Sequence, residues 1–140
     1  MIAADAGFLY ALADADDAWH SRATAWAGSA AQGWITTWPV LAEACHLLGR
    51  RLGPEFAAAL MDDVASAGLT VWSPSVAEVS RMPALMRRYA QLPMDLADAS
   101  LVLLAEHLGH GRILSTDLRD FASCRWKNHA PFTNLLETNP

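Results

Sequence analysis

The chain has 140 residues, 53% apolar and 18% charged, with a net charge of −5 at neutral pH. That is the length of one domain, residues 1–140, able to bury roughly two thirds of its unfolded surface without a disulfide or metal staple. The apolar content excludes disorder, and two cysteines are too few for a disulfide scaffold; the negative charge argues against long-range attraction to nucleic acid or anionic membranes.

The apolar runs stop well short of the ~18–20 residues that a membrane span needs. The N-terminus carries Asp5 and no basic stretch, unlike a signal peptide. A reducing, cytoplasmic setting is expected.

Met1–Ala4 is predicted as a first strand with Asp5 at its carboxyl end, and Gly7–Ala13 as a short helix. A second helix is predicted from Asp16 and Asp17, with Trp19 and Trp26 on one face. Trp34–Thr36 reads as a strand, after which Thr37 caps a helix with Pro39 in its first turn. That helix runs to about Leu52; Gly53-Pro54 starts another that stops at Gly68. Leu69–Trp72 is the third strand. Helical sequence then runs from Ser75 to Tyr89, with Pro83 kinking or splitting it. Pro93 punctuates, and Asp95 caps a helix to about Leu108. Arg112–Ser115 is the fourth strand, a short helical turn carries Asp120 and Phe121, and Phe132–Leu136 is a last edge strand. Strands alternating with helices predict an α/β fold with a parallel sheet. Ligands bind such sheets at the carboxyl ends of the strands, where Asp5 and Asp117 fall.

Four separate segments set a carboxylate in apolar surroundings: Ile2–Ala6 with Asp5, Val40–Ala44 with Glu43, Asp95–Leu101 with Asp98, and Leu114–Asp117. Aspartate and glutamate are rarely buried unless paired or bound to a metal. A hard divalent cation, Mg²⁺ or Mn²⁺, is the simplest common explanation, since it takes oxygen ligands and relieves repulsion between them. Such an ion lowers the pKa of water and neutralises phosphate charge, and phosphodiester hydrolysis benefits from both. Each acid also has a local reading. Asp5 can begin a turn, and Glu43 can be a solvated helix residue. Asp95 and Asp98 can cap a helix, and so can Asp117.

These residues carry a resemblance. Asp5-Ala-Gly-Phe-Leu, Thr36-Thr-Trp-Pro-Val-Leu-Ala-Glu43, Leu96-Ala-Asp98-Ala-Ser-Leu and Leu114-Ser-Thr-Asp117-Leu-Arg-Asp120-Phe121 occur in the order and at the separations of a PIN-domain ribonuclease. Among these the chain resembles the VapC toxins of bacterial toxin–antitoxin pairs. The resemblance implies a PIN-like three-layer sandwich: a central, mostly parallel sheet of four to five strands flanked by helices. It implies that Asp5, Glu43, Asp98 and Asp117 are the acids that bind Mg²⁺ or Mn²⁺ and catalyse cleavage of RNA. Thr37 and Ser115 match supporting hydroxyls, Ser115 standing where the family usually has Thr. Asp95 and Asp120 are adjacent acids that would enlarge the set. A homodimer is implied, with an antitoxin partner placing a basic residue in the site.

Two other readings stand beside this one. A PIN-like fold can act only by binding RNA or protein, which the complete acid set disfavours. A phosphatase of the haloacid-dehalogenase kind needs a second Asp two residues after the first, where this chain has Gly7. The scattered histidines lack metal-ligand spacing, and Cys45 and Cys124 read as inert thiols. Trp38, between Thr37 and Glu43, is a candidate for a groove or interface. The arginine pairs Arg50-Arg51 and Arg87-Arg88, with Arg112, Arg119, Arg125 and Lys127, are candidates for holding phosphates at the cleft rim.

Overall fold

The structure is a computed structural model that describes residues 1–29, 31–91, 94–117, 124–126 and 130–140. Its first half runs β1 (Ile2–Ala4), α1 (Ala6–Ala13), α2 (His20–Ser29), β2 (Trp34–Thr37), α3 (Trp38–Arg51), α4 (Pro54–Ala65) and β3 (Leu69–Trp72). There follow α5 (Val76–Val79), α6 (Met82–Arg88), α7 (Leu96–Leu108), β4 (Arg112–Leu114), β5 (Arg125–Trp126), β6 (Ala130–Pro131) and β7 (Thr133–Asn134). Strands β3-β2-β1-β4-β7 form one sheet, and every pair in it is parallel. The α/β fold with a central parallel sheet flanked by helices is therefore present.

Two local readings change, at α2 and at the last edge strand, and one holds, at Pro83. Helix α2 begins at His20 and not at Asp16–Asp17. The Asp17 carboxylate accepts the Trp19 N–H at 2.8 Å and its carbonyl accepts the His20 N–H, so this residue closes a turn before the helix starts. Helical sequence after Ser75 divides into α5 and α6, with Pro83 in the first turn of α6. The last edge strand shrinks to Thr133–Asn134 because Leu135–Glu137 turns into a 3₁₀ helix. An antiparallel pair, β5 with β6, was not anticipated. The expected helical turn at Asp120 and Phe121 lies outside the described residues.

Helix α7 is apolar on all sides and is enclosed accordingly. Ala97, Leu101 and Leu104 join the main core of β1, β2, β4, α1 and α3. Ala99, Val102 and Leu103 pack with Met82, Leu85 and Met94 in a second cluster. This enclosure fixes α7, and with it the acids at its N-terminus. Leu104→Ala should cost about 2–5 kcal/mol of stability. Leu96→Ala, on the exposed first turn of the same helix, should change it by less than about 0.5 kcal/mol. Urea unfolding of the two variants checks the contrast.

Candidate active site

Strand order reverses at β1: β2 and β3 lie to one side, β4 and β7 to the other. The carboxyl ends of β1 and β4 therefore flank the crevice where open α/β sheets receive ligands. Ala4 pairs with Leu114 in register, and the Asp5 N–H donates to the Leu114 carbonyl at 3.0 Å. Asp5 and Ser115 thus leave the sheet side by side. Asp5 is buried and caps α1, its Oδ1 accepting the Ala6 N–H at 2.7 Å. Its Oδ2 accepts the Ser115 hydroxyl at 2.7 Å, and Ser115 Oγ accepts the Asp117 N–H at 3.0 Å. One hydroxyl joins the first and last acids, which are far apart in sequence.

Glu43 comes from α3 and Asp98 from α7. The Thr37 hydroxyl caps α3, accepting the Val40 N–H at 3.4 Å, and lies 2.6 Å from Ser100 Oγ in α7. Ser100 gives its hydrogen to the Ala97 carbonyl at 2.6 Å, so Thr37 is the donor to Ser100. The Thr37 hydroxyl hydrogen is engaged by Ser100, and it ties together the two helices that carry Glu43 and Asp98. Asp95 and Asp98 form a reciprocal capping box at the start of α7, each accepting the other's N–H, at 3.0 and 3.2 Å.

Asp5, Glu43, Asp95, Asp98 and Asp117 line one cleft of about 230 Å³, with Gly7, Leu47 and Thr116 between them. All four acids of the sequence-derived set are brought together, and Asp95 both caps α7 and faces the cleft. Asp120 lies outside the described residues, as do Arg119 and Lys127. None of the described arginines lines the cleft. The larger concavity, about 470 Å³, is apolar and lies toward the amino ends of β2 and β3, around Trp34 and Leu69.

The carboxylates share an electrostatic strain. Burial holds the Asp5 carboxyl above its ordinary range, opposed by the bonds from Ser115 and Ala6 and reinforced by the charges of Asp117 and Asp95. Glu43 is raised by desolvation in the cleft, then by Asp95, Asp5 and Asp117. Asp98 is pushed up to about 8, by burial first and then by the Asp95 charge.

Three features escaped the sequence reading. A β-carbon on Gly7 would overlap the Thr116 hydroxyl, so any larger residue where α1 passes the last acidic segment would force Thr116 to shift. Ser100 completes the link between α3 and α7. Asn134 holds the backbone of Ser115 through its side-chain amide. The first leaves a trace in the Asp5-Ala-Gly pattern; the other two leave none in local periodicity.

The donor set consists of hard oxygens, the kind that Mg²⁺ and Mn²⁺ take. Among the described residues no three Asp, Glu, His or Cys side chains stand close enough together to hold a metal ion as they are placed. Mg²⁺ binds through one or two carboxylates and keeps several waters, so it asks for the donor type and not for a full protein cage. In donor chemistry, the five carboxylates that line the cleft fit a hydrated divalent cation.

The raised pKa of Asp98 fixes a sign. Folding favours its protonated form, so its contribution to stability is complete below the unfolded value of ~3.9 and is lost as pH rises through about 8. Metal-free protein should lose more melting temperature between about pH 5 and about pH 9 than the Asp98→Asn variant does. Parallel slopes in the two melting series would refute the assignment.

A PIN domain family model matches residues 2–126 of the chain. Ribonuclease VapC26 of Mycobacterium tuberculosis is 26% identical over 121 residues, 86% of this chain and 90% of that protein. The crystal structure of Mycobacterium tuberculosis VapC20, described as a sarcin–ricin loop cleaving toxin, superposes with a TM-score of 0.77. It is 24% identical, covering 84% of this chain and 90% of that one, and this likeness speaks to the fold. The match over almost the whole sheet, the sheet order and the VapC26 similarity agree: the chain belongs to the PIN-domain family.

Proposed function

We propose that this chain is a divalent-cation-dependent endoribonuclease and the toxin of a toxin–antitoxin pair, acting in the cytoplasm on tRNA or ribosomal RNA. The observation that carries this reading is the gathering of Asp5, Glu43, Asp98 and Asp117 in one cleft at the switch point of the sheet. The similarity to VapC26 supports the ribonuclease assignment. In this reading Asp5, Glu43, Asp98 and Asp117 hold Mg²⁺ or Mn²⁺. Asp95 widens the set. A bound divalent cation there supplies an activated water and neutralises charge on the scissile phosphate. Ser115 keeps one lobe of the Asp5 carboxylate fixed, and Thr37 and Ser100 hold α3 and α7 at the spacing the site needs.

An unrestrained ribonuclease would harm its host, so a partner must block the cleft. The charge of the cleft selects a segment that presents Arg or Lys to Asp98 or Asp117. A homodimer is part of the same reading. Trp38 and Val76 follow the ends of the paired strands β2 and β3, and both are exposed, as are Val79 and Leu96. Exposed large apolar side chains such as Trp38 and Val76, beyond the ends of neighbouring strands, suit an interface. Among the described residues no helix is long and apolar enough to cross a membrane.

Purified protein should cut tRNA or ribosomal RNA in Mn²⁺ or Mg²⁺ and stop on addition of EDTA. Asp5→Asn and Asp117→Asn should each lower cleavage about 100-fold or more while the metal-free melting temperature holds or rises. Undiminished cleavage in EDTA would sink the metal reading. Binding of RNA without cleavage in any metal would point instead to the non-catalytic module.

Co-expression with the product of the neighbouring gene tests the toxin reading. A tight complex without nuclease activity is expected. Harmless expression of the chain alone, monomeric by light scattering and with no basic-tailed partner, would overturn it.

A further inference from the structure

Strand β7 is two residues long and pairs with β4 only as far as Ile113 opposite Asn134. Beyond that point the chain turns into a 3₁₀ helix, so among the described residues the backbone of Ser115 has no strand neighbour on that side. The Asn134 side chain takes the place of the missing peptide. Its Oδ1 accepts the Ser115 N–H at 3.1 Å, and its Nδ2 donates to the Ser115 carbonyl at 2.9 Å. The same Oδ1 accepts the Leu136 N–H at 3.2 Å and caps the turn. A carboxamide is the side chain that can meet an N–H and a C=O of one residue at once. Only one orientation of the amide satisfies both.

Ser115 is fully buried, and both capacities of its hydroxyl are in use: it donates to Asp5 and accepts from Asp117. Its hydroxyl can hold those two acids only if its backbone is held. We propose that Asn134 is a positioning residue of the active site, setting the Asp5 carboxylate and the Asp117 backbone through Ser115. The inference rests on the proposed reading of Asp5 and Asp117 as cation-holding groups. Groups that orient metal ligands from behind typically matter 10–100-fold in metal affinity.

Mn²⁺ affinity measured by electron paramagnetic resonance, well below the melting temperature, tests it without relying on activity. Asn134→Ala should weaken Mn²⁺ binding by about tenfold or more. Asn134→Asp keeps the acceptor that caps the 3₁₀ turn, loses the donor to Ser115, and adds negative charge. Charge alone would tighten cation binding, so weaker binding in this variant reports lost positioning. Ser115→Ala should also weaken binding and Ser115→Thr should not. The combined Asn134→Ala/Ser115→Ala loss should fall short of the product of the single losses.

Leu60→Ala, which destabilises the core at α4 away from the cleft, should leave Mn²⁺ affinity unchanged. Wild-type affinity in Asn134→Ala, or equal or tighter binding in Asn134→Asp, overturns the inference and leaves a cap of purely structural value. Absence of Mn²⁺ binding by the wild-type protein overturns the metal reading, and this inference falls with it.

Discussion

Mutual repulsion among carboxylates that face one small cleft is the constraint around which this fold is arranged. Five of them line about 230 Å³. Burial raises the pKa of Asp5 and Asp98, and the neighbouring carboxylate charges raise both further. Left to themselves, such groups would swing apart into water. The chain prevents this by anchoring them to rigid starting points. Asp5 caps α1, Asp95 caps α7 with Asp98 in its first turn, and α3 starts from a Thr37 cap one and a half turns before Glu43. Three helices thus begin around the cleft. The partial positive charge at a helix start favours a nearby carboxylate by about 0.3–1 kcal/mol. That is an offset and not a cure, since the raised pKa values persist.

Two hydroxyl relays stiffen the arrangement. Thr37–Ser100–Ala97 couples α3 to α7, and Asp117–Ser115–Asp5 couples the ends of β4 and β1. In both, a buried hydroxyl has its hydrogen committed to one partner and a lone pair to another. Among the described residues no buried side-chain polar atom lacks a partner. Networks of this kind are rigid because breaking any one bond strands a buried group, at a cost of about 1–3 kcal/mol.

Much of this could be read from the sequence because it is written locally. Alternating apolar runs and capped amphipathic segments give the parallel α/β order, and the strand ends place Asp5 and Asp117. Pro83 divides its helix as proline must. What was misplaced or missed depends on partners distant in sequence or on competing local bonds. Asp17 resembles a helix start, yet its side chain closes a turn first. The Thr37 hydroxyl meets Ser100, 63 residues away. Asn134 completes a sheet edge that exists only once β7 has docked beside β4. The edge strand itself was legible at Phe132–Leu136, but nothing in its pattern says which of its side chains turns back to Ser115.

The net charge of −5 and the placing of the arginines set a condition on the proposed action on RNA. Arg81 is bonded to Glu106, Arg51 lies over Tyr10, Arg88 over Tyr89, and Arg112 against His110. None of these lines the cleft, whose own walls are anionic. Phosphate therefore meets repulsion there until the carboxylate charge is offset. On the proposed reading, substrate affinity and cation affinity are then one coupled quantity: whatever loosens the carboxylates weakens the hold on RNA as well as the chemistry. On the same reading, a basic side chain from a partner is an effective stopper. It offsets the identical charge, and it brings no water to be activated and leaves no room for a phosphate.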